Sequence, residues 1–115
     1  MISTPETRAH AQEILDQIHA EPSSHDQSTF ASPSDVNSCG TTACVAGWSA
    51  MLSGWSMADV QHAALLEIHK LEKTAQSNLG LTDGEANYLF YAVREESAVQ
   101  ALKKIVAGEE TILED

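Results

Sequence analysis

The sequence is poor in basic residues. Six Lys and Arg stand against 17 Asp and Glu among its 115 residues, which gives a net charge of −11 at pH 7. Proteins that bind nucleic acid neutralise phosphates with Lys and Arg, so this composition predicts no direct binding to DNA or RNA. The acidic residues are scattered along the chain, which is more typical of a solvated surface than of one that imitates nucleic acid.

The sequence also lacks long apolar runs and contains only two cysteines. No stretch approaches the roughly 20 apolar residues that cross a bilayer, so we expect no membrane segment. The first residues show neither the basic start nor the apolar run of a secretory signal, and two cysteines are few for a disulfide framework. We therefore expect a cytoplasmic protein. Because no nucleotide-binding loop or common zinc-ligand spacing is present, we expect no cofactor and no metal site.

What the sequence does contain is a succession of helical patterns, in which apolar residues recur every three or four positions. Hydroxyl residues followed by acids mark helix starts, and glycines mark helix ends. We predict helices over about 4–21, 41–53, 56–79, 82–93 and 96–107, a loop over 22–38 and a frayed acidic tail over 109–115. No segment alternates polar and apolar residues as a strand would. The expected fold is a single all-α domain over 1–115, an irregular bundle of about five helices.

The segment 38–54 concentrates the unusual residues of the chain. It holds both cysteines, one of the two tryptophans and three of the six glycines. Thr41 or Thr42 can cap a helix that starts there. The small residues of that helix lie on several of its sides and are Ala43, Cys44, Ala46, Gly47 and Ala50. Because these side chains are small, neighbouring side chains can pack directly against the backbone of this helix. We therefore expect this helix at the centre of the bundle, and we expect another helix to approach it closely at Gly47.

Cys39 and Cys44 are the residues best suited to chemistry. Cys39 precedes the predicted central helix, and Cys44 lies in its first turn, where the helix dipole lowers the pKa of a thiol that water can reach. Candidate partners are His25 in the loop, and His62 and His69 in the third helix. Three interpretations of the two cysteines stay open: a buried structural cysteine beside a turn residue, a reactive or redox pair, or a pair of metal ligands.

The segment CGTTACVAGW, residues 39–48, resembles a motif of small uncharacterised proteins of actinobacteria and their bacteriophages. The resemblance extends to residues 14–18 (ILDQI) with 25–27 (HDQ), and to 79–82 (LGLT) with 85–86 (EA) and 89–90 (LF). It covers about two thirds of the chain. That family has no established activity, so the resemblance implies a bacterial or phage origin and assigns no catalytic role.

Three aromatic residues are candidates for contact with a partner, because large aromatic side chains often anchor protein interfaces. Phe30 is one of the few large apolar residues of the loop, and Trp48 and Trp55 are seven residues apart, the spacing of one helical face. No catalytic constellation with a recognisable context is present, which favours binding over catalysis. We therefore expect a small interaction or regulatory protein that contacts a protein partner, and self-association is compatible with this expectation.

Two other functions stay open from the sequence. One is a cysteine-dependent enzyme or redox protein that uses Cys44, Cys39 and His25. The other is an acidic mimic of nucleic acid that inhibits a DNA-binding or host-defence protein. The accessibility and the pKa of the Cys44 thiol distinguish the first alternative from an interaction protein.

Overall fold

The computed structural model describes residues 1–35 and 40–113, and these ranges are mostly helical. The α-helices of the described residues are α1 (Pro5–Ala20), α2 (Val45–Leu52), α3 (Met57–Leu66), α4 (Ile68–Leu79), α5 (Asp83–Asn87) and α6 (Glu95–Ala107). A 3₁₀ turn covers Pro22–Ser24, a π-helical turn covers Tyr88–Ala92, and two short strands are β1 (Ser32–Pro33) and β2 (Thr41–Thr42). The prediction of an all-α fold is confirmed.

The helix boundaries follow local sequence signals. Thr4, Ser56 and Thr82 each cap a helix in a reciprocal capping box, in which the cap hydroxyl and the side chain three residues later accept backbone N–H groups. Gly80 and Gly108 end α4 and α6 with φ of 69° and 73°, a left-handed conformation that favours glycine. Because each signal is contained within a few residues, the sequence alone predicts these boundaries.

Helix α2 lies at the centre of the domain. Every residue from Val45 to Ala50 is buried, and the helix packs against α1, α3 and α4. A Cβ added at Gly47 would collide with the carbonyl group of Phe30. The close approach predicted at Gly47 is therefore confirmed, but the neighbour is the loop that carries Phe30 rather than another helix.

The central helix is shorter than predicted. It begins at Val45 and not at Thr41, because Thr41–Thr42 forms β2 and pairs with Ser32–Pro33 in an antiparallel ladder. The N-cap residue is Cys44. The loop predicted over 22–38 is thus folded in part, since its β1 strand supplies the partner for β2. The predictions for residues 36–38 and for Cys39 lie outside the described residues.

The predicted third helix is two helices. The backbone of Glu67 (φ −140°, ψ 46°) separates α3 from α4, and α4 then packs against α1 as well as α2. Leu65 continues the apolar helical stripe that Val60, Ala64 and Ile68 form in the sequence, yet it is 84% exposed. At about 100° per residue, Leu65 lies about 140° around the helix from Val60, at the edge of that stripe.

The predicted fourth helix is also divided. It consists of the short α5 followed by the π-helical turn. Leu89 and Phe90 are consecutive and both are buried, an arrangement that the widened turn accommodates at the core. Helix α6 begins at Glu95, one residue before the predicted start.

The tail is anchored where we predicted fraying. Ile112 is buried, and the Thr111 hydroxyl donates a hydrogen bond of 2.7 Å to the Glu85 carboxylate. The Met1 amine lies 3.3 Å from the other Glu85 oxygen. Glu85 therefore joins the beginning of the described chain to residues 111–112. The last two residues of the predicted tail lie outside the described residues.

Candidate interaction surface

The loop before α2 is tied to the segment that precedes Cys44. The Ala43 N–H donates to the Ser24 carbonyl at 2.9 Å, and the Asp26 N–H donates to the Ala43 carbonyl at 3.0 Å. The Cys44 N–H donates to the Thr29 carbonyl at 2.7 Å. These backbone bonds hold the loop across the N-terminal end of α2.

Gln27 caps α2 in place of a side chain from the helix itself. Its Oε1 accepts hydrogen bonds from the Val45 N–H at 2.8 Å and from His25 Nε2 at 2.9 Å. Its Nε2 donates to the Leu89 carbonyl at 2.9 Å, and its backbone N–H donates to Glu95 at 2.7 Å. One loop glutamine thus joins the start of α2, the π-helical turn and the start of α6.

Cys44 lies beneath this loop and is 2% exposed. Burial raises the pKa of the Cys44 thiol to about 11, although the backbone N–H groups of Gly47 and Ala46 act in the opposite direction. At neutral pH the thiol is protonated, so as placed it is neither a nucleophile nor a thiolate ligand. Its environment is that of a small core residue.

The candidate partners of Cys44 differ in position and exposure, and His25 pairs with Ala43, the residue before Cys44. The His25 side chain is buried and its Nε2 bonds to Gln27, whereas His62 and His69 are exposed on α3 and α4. Cys39, the other cysteine of the predicted pair, is outside the described residues. The predicted site of Cys44, Cys39 and His25 therefore stays a prediction.

Trp48 and Trp55 occupy different environments. Trp48 is buried, and its indole N–H donates a hydrogen bond of 2.7 Å to the Ser24 carbonyl, so it holds the loop against α2. Trp55 is half-buried after the end of α2, and the Lys70 ammonium lies 5.9 Å from its ring centroid. The seven-residue spacing does not place both rings on one face because α2 ends at Leu52.

Phe30 is half-buried and lies between Tyr91 and two residues of α3. Its ring contacts Tyr91 edge-on, with centroids 6.3 Å apart and planes at 74°. Phe30 also lines a groove of about 430 Å³ together with Ala64 and Leu65 of α3, and polar side chains of Ser28, Thr29 and Gln61 border the same groove. We call Phe30, Ala64, Leu65 and Tyr91 the Phe30 surface.

Two members of the Phe30 surface were not predicted from the sequence. Leu65 is 84% exposed, and Tyr91 is 52% exposed on the π-helical turn. Desolvation raises the pKa of Tyr91 to about 12, with a further contribution from the hydrogen bond to Glu72, so the phenol is neutral at physiological pH. The exposure of Leu65 has one signal in the sequence, which is the neighbouring Leu66. A narrow apolar stripe on a helix does not readily bury two consecutive leucines.

A second cavity, of about 640 Å³, lies between the N-terminal segment and α4. His10 is at its wall, and His10 Nε2 lies 2.7 Å from the Ser49 hydroxyl, which also accepts a bond of 3.2 Å from Asn78. Burial lowers the pKa of His10, so its ring is neutral at pH 7. These polar groups satisfy one another inside the fold, and Ser49 is fully buried.

Two further findings concern residues 1–35 and 40–113. No three His, Cys, Asp or Glu side chains in these ranges come together in an arrangement that could hold a metal ion. No helix in these ranges combines the length and the apolar character needed to cross a membrane.

Comparisons with protein-family models, with curated proteins and with solved structures found no match to this chain. The resemblance of residues 39–48 to the actinobacterial and phage proteins therefore stays a prediction.

Proposed function

We propose that this protein is an interaction module that binds a protein partner through the Phe30 surface. The observation that carries the proposal is the exposure of Leu65 in a groove beside Phe30. Exposed apolar patches that are rimmed by polar residues mark sites of protein interaction. Tyr91 adds an aromatic ring with a polar tip, a combination that is enriched at interfaces.

The partner is better understood as a different protein than as a second copy of this chain. Each copy carries a net charge of −11, so two copies repel one another unless their contact surface compensates. The resemblance of residues 39–48 supports a bacterial or phage protein, and we place its action in the cytoplasm. The cysteine-dependent alternative has less support, because the Cys44 thiol is buried and protonated.

Exchange of Leu65 for serine tests the proposal. Leu65→Ser removes the apolar side chain from the groove, and we expect it to reduce capture of the partner from an actinobacterial lysate by about tenfold or more. The fold should be unaffected, since exposed positions usually change stability by less than about 0.5 kcal/mol. The measurement is quantitative affinity capture on the tagged protein, with thermal unfolding to verify the fold.

Leu66→Ser is the matched control. Leu66 is the same residue type in the same helix and is 74% exposed, but it is about 100° further around α3. A partner of the Phe30 surface should be lost with Leu65→Ser and retained with Leu66→Ser. An identical set of captured proteins from the parent protein and Leu65→Ser, or equal losses in both variants, would contradict the proposal.

A further inference from the structure

A cleft on the other flank of α3 combines one aromatic ring with two carboxylates. It has a volume of about 290 Å³ and is lined by Trp55, Asp59, His62, Ala63, Glu67 and Lys70. We call it the Trp55 cleft. Helix α3 contributes Ala64 and Leu65 to the Phe30 surface but His62 and Ala63 to the Trp55 cleft, so the two sites are separate.

A cation already lies in the Trp55 cleft. The Lys70 ammonium is 5.9 Å from the Trp55 ring centroid, within the range of a cation–π contact, and 3.7 Å from the Glu67 carboxylate. The side chains of Lys70 and Glu67 are both largely exposed. Exposed ion pairs are weak because solvent screens them and long side chains lose entropy, so Lys70 is held loosely. A better-matched cation can take its place.

The chemistry of the cleft suits a guanidinium group. An indole face attracts cations, and the planar guanidinium can stack on it while its N–H groups donate to carboxylates. Hydrogen bonds from the Ser56 N–H and hydroxyl lower the pKa of Asp59, so its carboxylate is charged at neutral pH. Asp59 and Glu67 supply acceptors beside the ring. A lysine ammonium offers neither the planar stacking surface nor the fork of donors.

We propose that the Trp55 cleft binds an arginine side chain of a basic protein partner, and that Lys70 occupies the same position when the partner is absent. The net charge of −11 attracts such a partner over longer distances, and the cleft then selects arginine over lysine. This site is additional to the Phe30 surface and does not depend on it. Removal of Lys70 should strengthen arginine binding, because the competing internal cation is lost.

The test uses a capped pentapeptide with a single arginine between two glycines on each side, titrated into the isotope-labelled protein. The backbone amide of Ala63 is followed by NMR, because it reports from the wall of the cleft in every variant. We expect saturable shifts, with affinity for the arginine peptide about threefold or more above that for the matched lysine peptide. Lys70→Ala should strengthen binding by about threefold or more, because an occupied site must first release its internal cation.

Matched variants distinguish binding of the peptide in the cleft from general electrostatic attraction to an acidic protein. Lys73→Ala removes the same charge one turn along α4, outside the cleft lining, and should leave the affinity within about twofold. Trp55→Leu leaves the net charge unchanged and should weaken binding of the arginine peptide by about tenfold. Trp55→Phe keeps an aromatic ring, so it should have an intermediate affinity and serves as the second variant if leucine disturbs the fold. Any one of three results would overturn the proposal. They are equal binding of the two peptides, equal effects of the two lysine substitutions, and unchanged binding by a folded Trp55→Phe protein.

Discussion

Glu85 is a buried carboxylate that connects distant parts of the chain. Its oxygens accept hydrogen bonds from the Thr82 N–H at 2.9 Å, the Thr111 hydroxyl at 2.7 Å and the Ile112 N–H at 3.3 Å. Burial alone would raise the pKa of Glu85, but these hydrogen bonds outweigh it and lower the pKa to about 2. The folded state therefore stabilises the ionised form of Glu85 relative to the unfolded chain.

This pKa predicts an acid-dependent loss of stability. The folded pKa of Glu85 is depressed from 4.5 to about 2, so its contribution is complete above the unfolded value and is lost as the pH falls from about 5 to 2. We expect the stability difference between the parent protein and Glu85→Gln, measured by urea unfolding, to shrink over this window by on the order of 3 kcal/mol. The exposed Glu109→Gln is the control and should show little change. A constant difference from pH 7 to pH 2 would contradict this assignment.

At the scale of elements, α2 depends on a residue outside the helix. Cys44 provides no side-chain cap, and the Val45 N–H is satisfied by Gln27. The same amide side chain also satisfies the Leu89 carbonyl. Loss of this side chain would leave two backbone groups without their partner near the centre of the domain, which is costly because buried polar groups need hydrogen bonds.

Gln27→Ala should therefore destabilise the domain by about 1 to 3 kcal/mol. Gln12→Ala is a matched control, because Gln12 is an exposed glutamine whose hydrogen bond to Asp16 stays within one helix turn. That substitution should cost less than about 0.5 kcal/mol. Chemical denaturation measures both free energies of unfolding. Equal effects of the two substitutions would show that Gln27 does not cap α2.

The elements also show which parts of the fold can be predicted from sequence. The capping boxes at Ser56 and Thr82 were predicted because all their atoms belong to one helical turn. The β1–β2 pair, the break at Glu67 and the π-helical turn were not predicted, because no signal within a single helical turn marks them. Local propensity is a weak guide where tertiary packing decides the backbone.

The candidate sites were predicted less completely than the fold. Phe30 and Trp55 were predicted as contact residues, and the structure places each of them at a separate partly exposed surface. The helical period groups Leu65 with buried residues, and nothing in the sequence singles out Tyr91, because the exposure of each depends on how α3 and the π-helical turn pack. Periodicity identifies which residues share a face but not where neighbouring elements end.

At the scale of the whole molecule, the domain encloses its one described thiol in the core, whereas Leu65 and Tyr91 are exposed at the surface. Cys44 lies under the loop and against the core, whereas the Phe30 surface and the Trp55 cleft flank α3. This distribution suits a protein that binds through its exterior. Cys44 is 2% exposed at the wall of a small cavity that it lines with Phe30, Phe90 and Tyr91, so a reagent should reach it far more slowly than an exposed thiol.

The rate of Cys44 alkylation therefore tests most directly whether function lies at the surface or at the thiol. The experiment uses Cys39→Ser, so that Cys44 is the single thiol, and follows iodoacetamide labelling across urea concentrations at pH 7.5. We predict labelling about a thousandfold or more slower than that of the urea-unfolded chain, rising with urea in parallel with global unfolding. Labelling as fast as a free thiol without urea would contradict this account and would favour a cysteine-dependent activity.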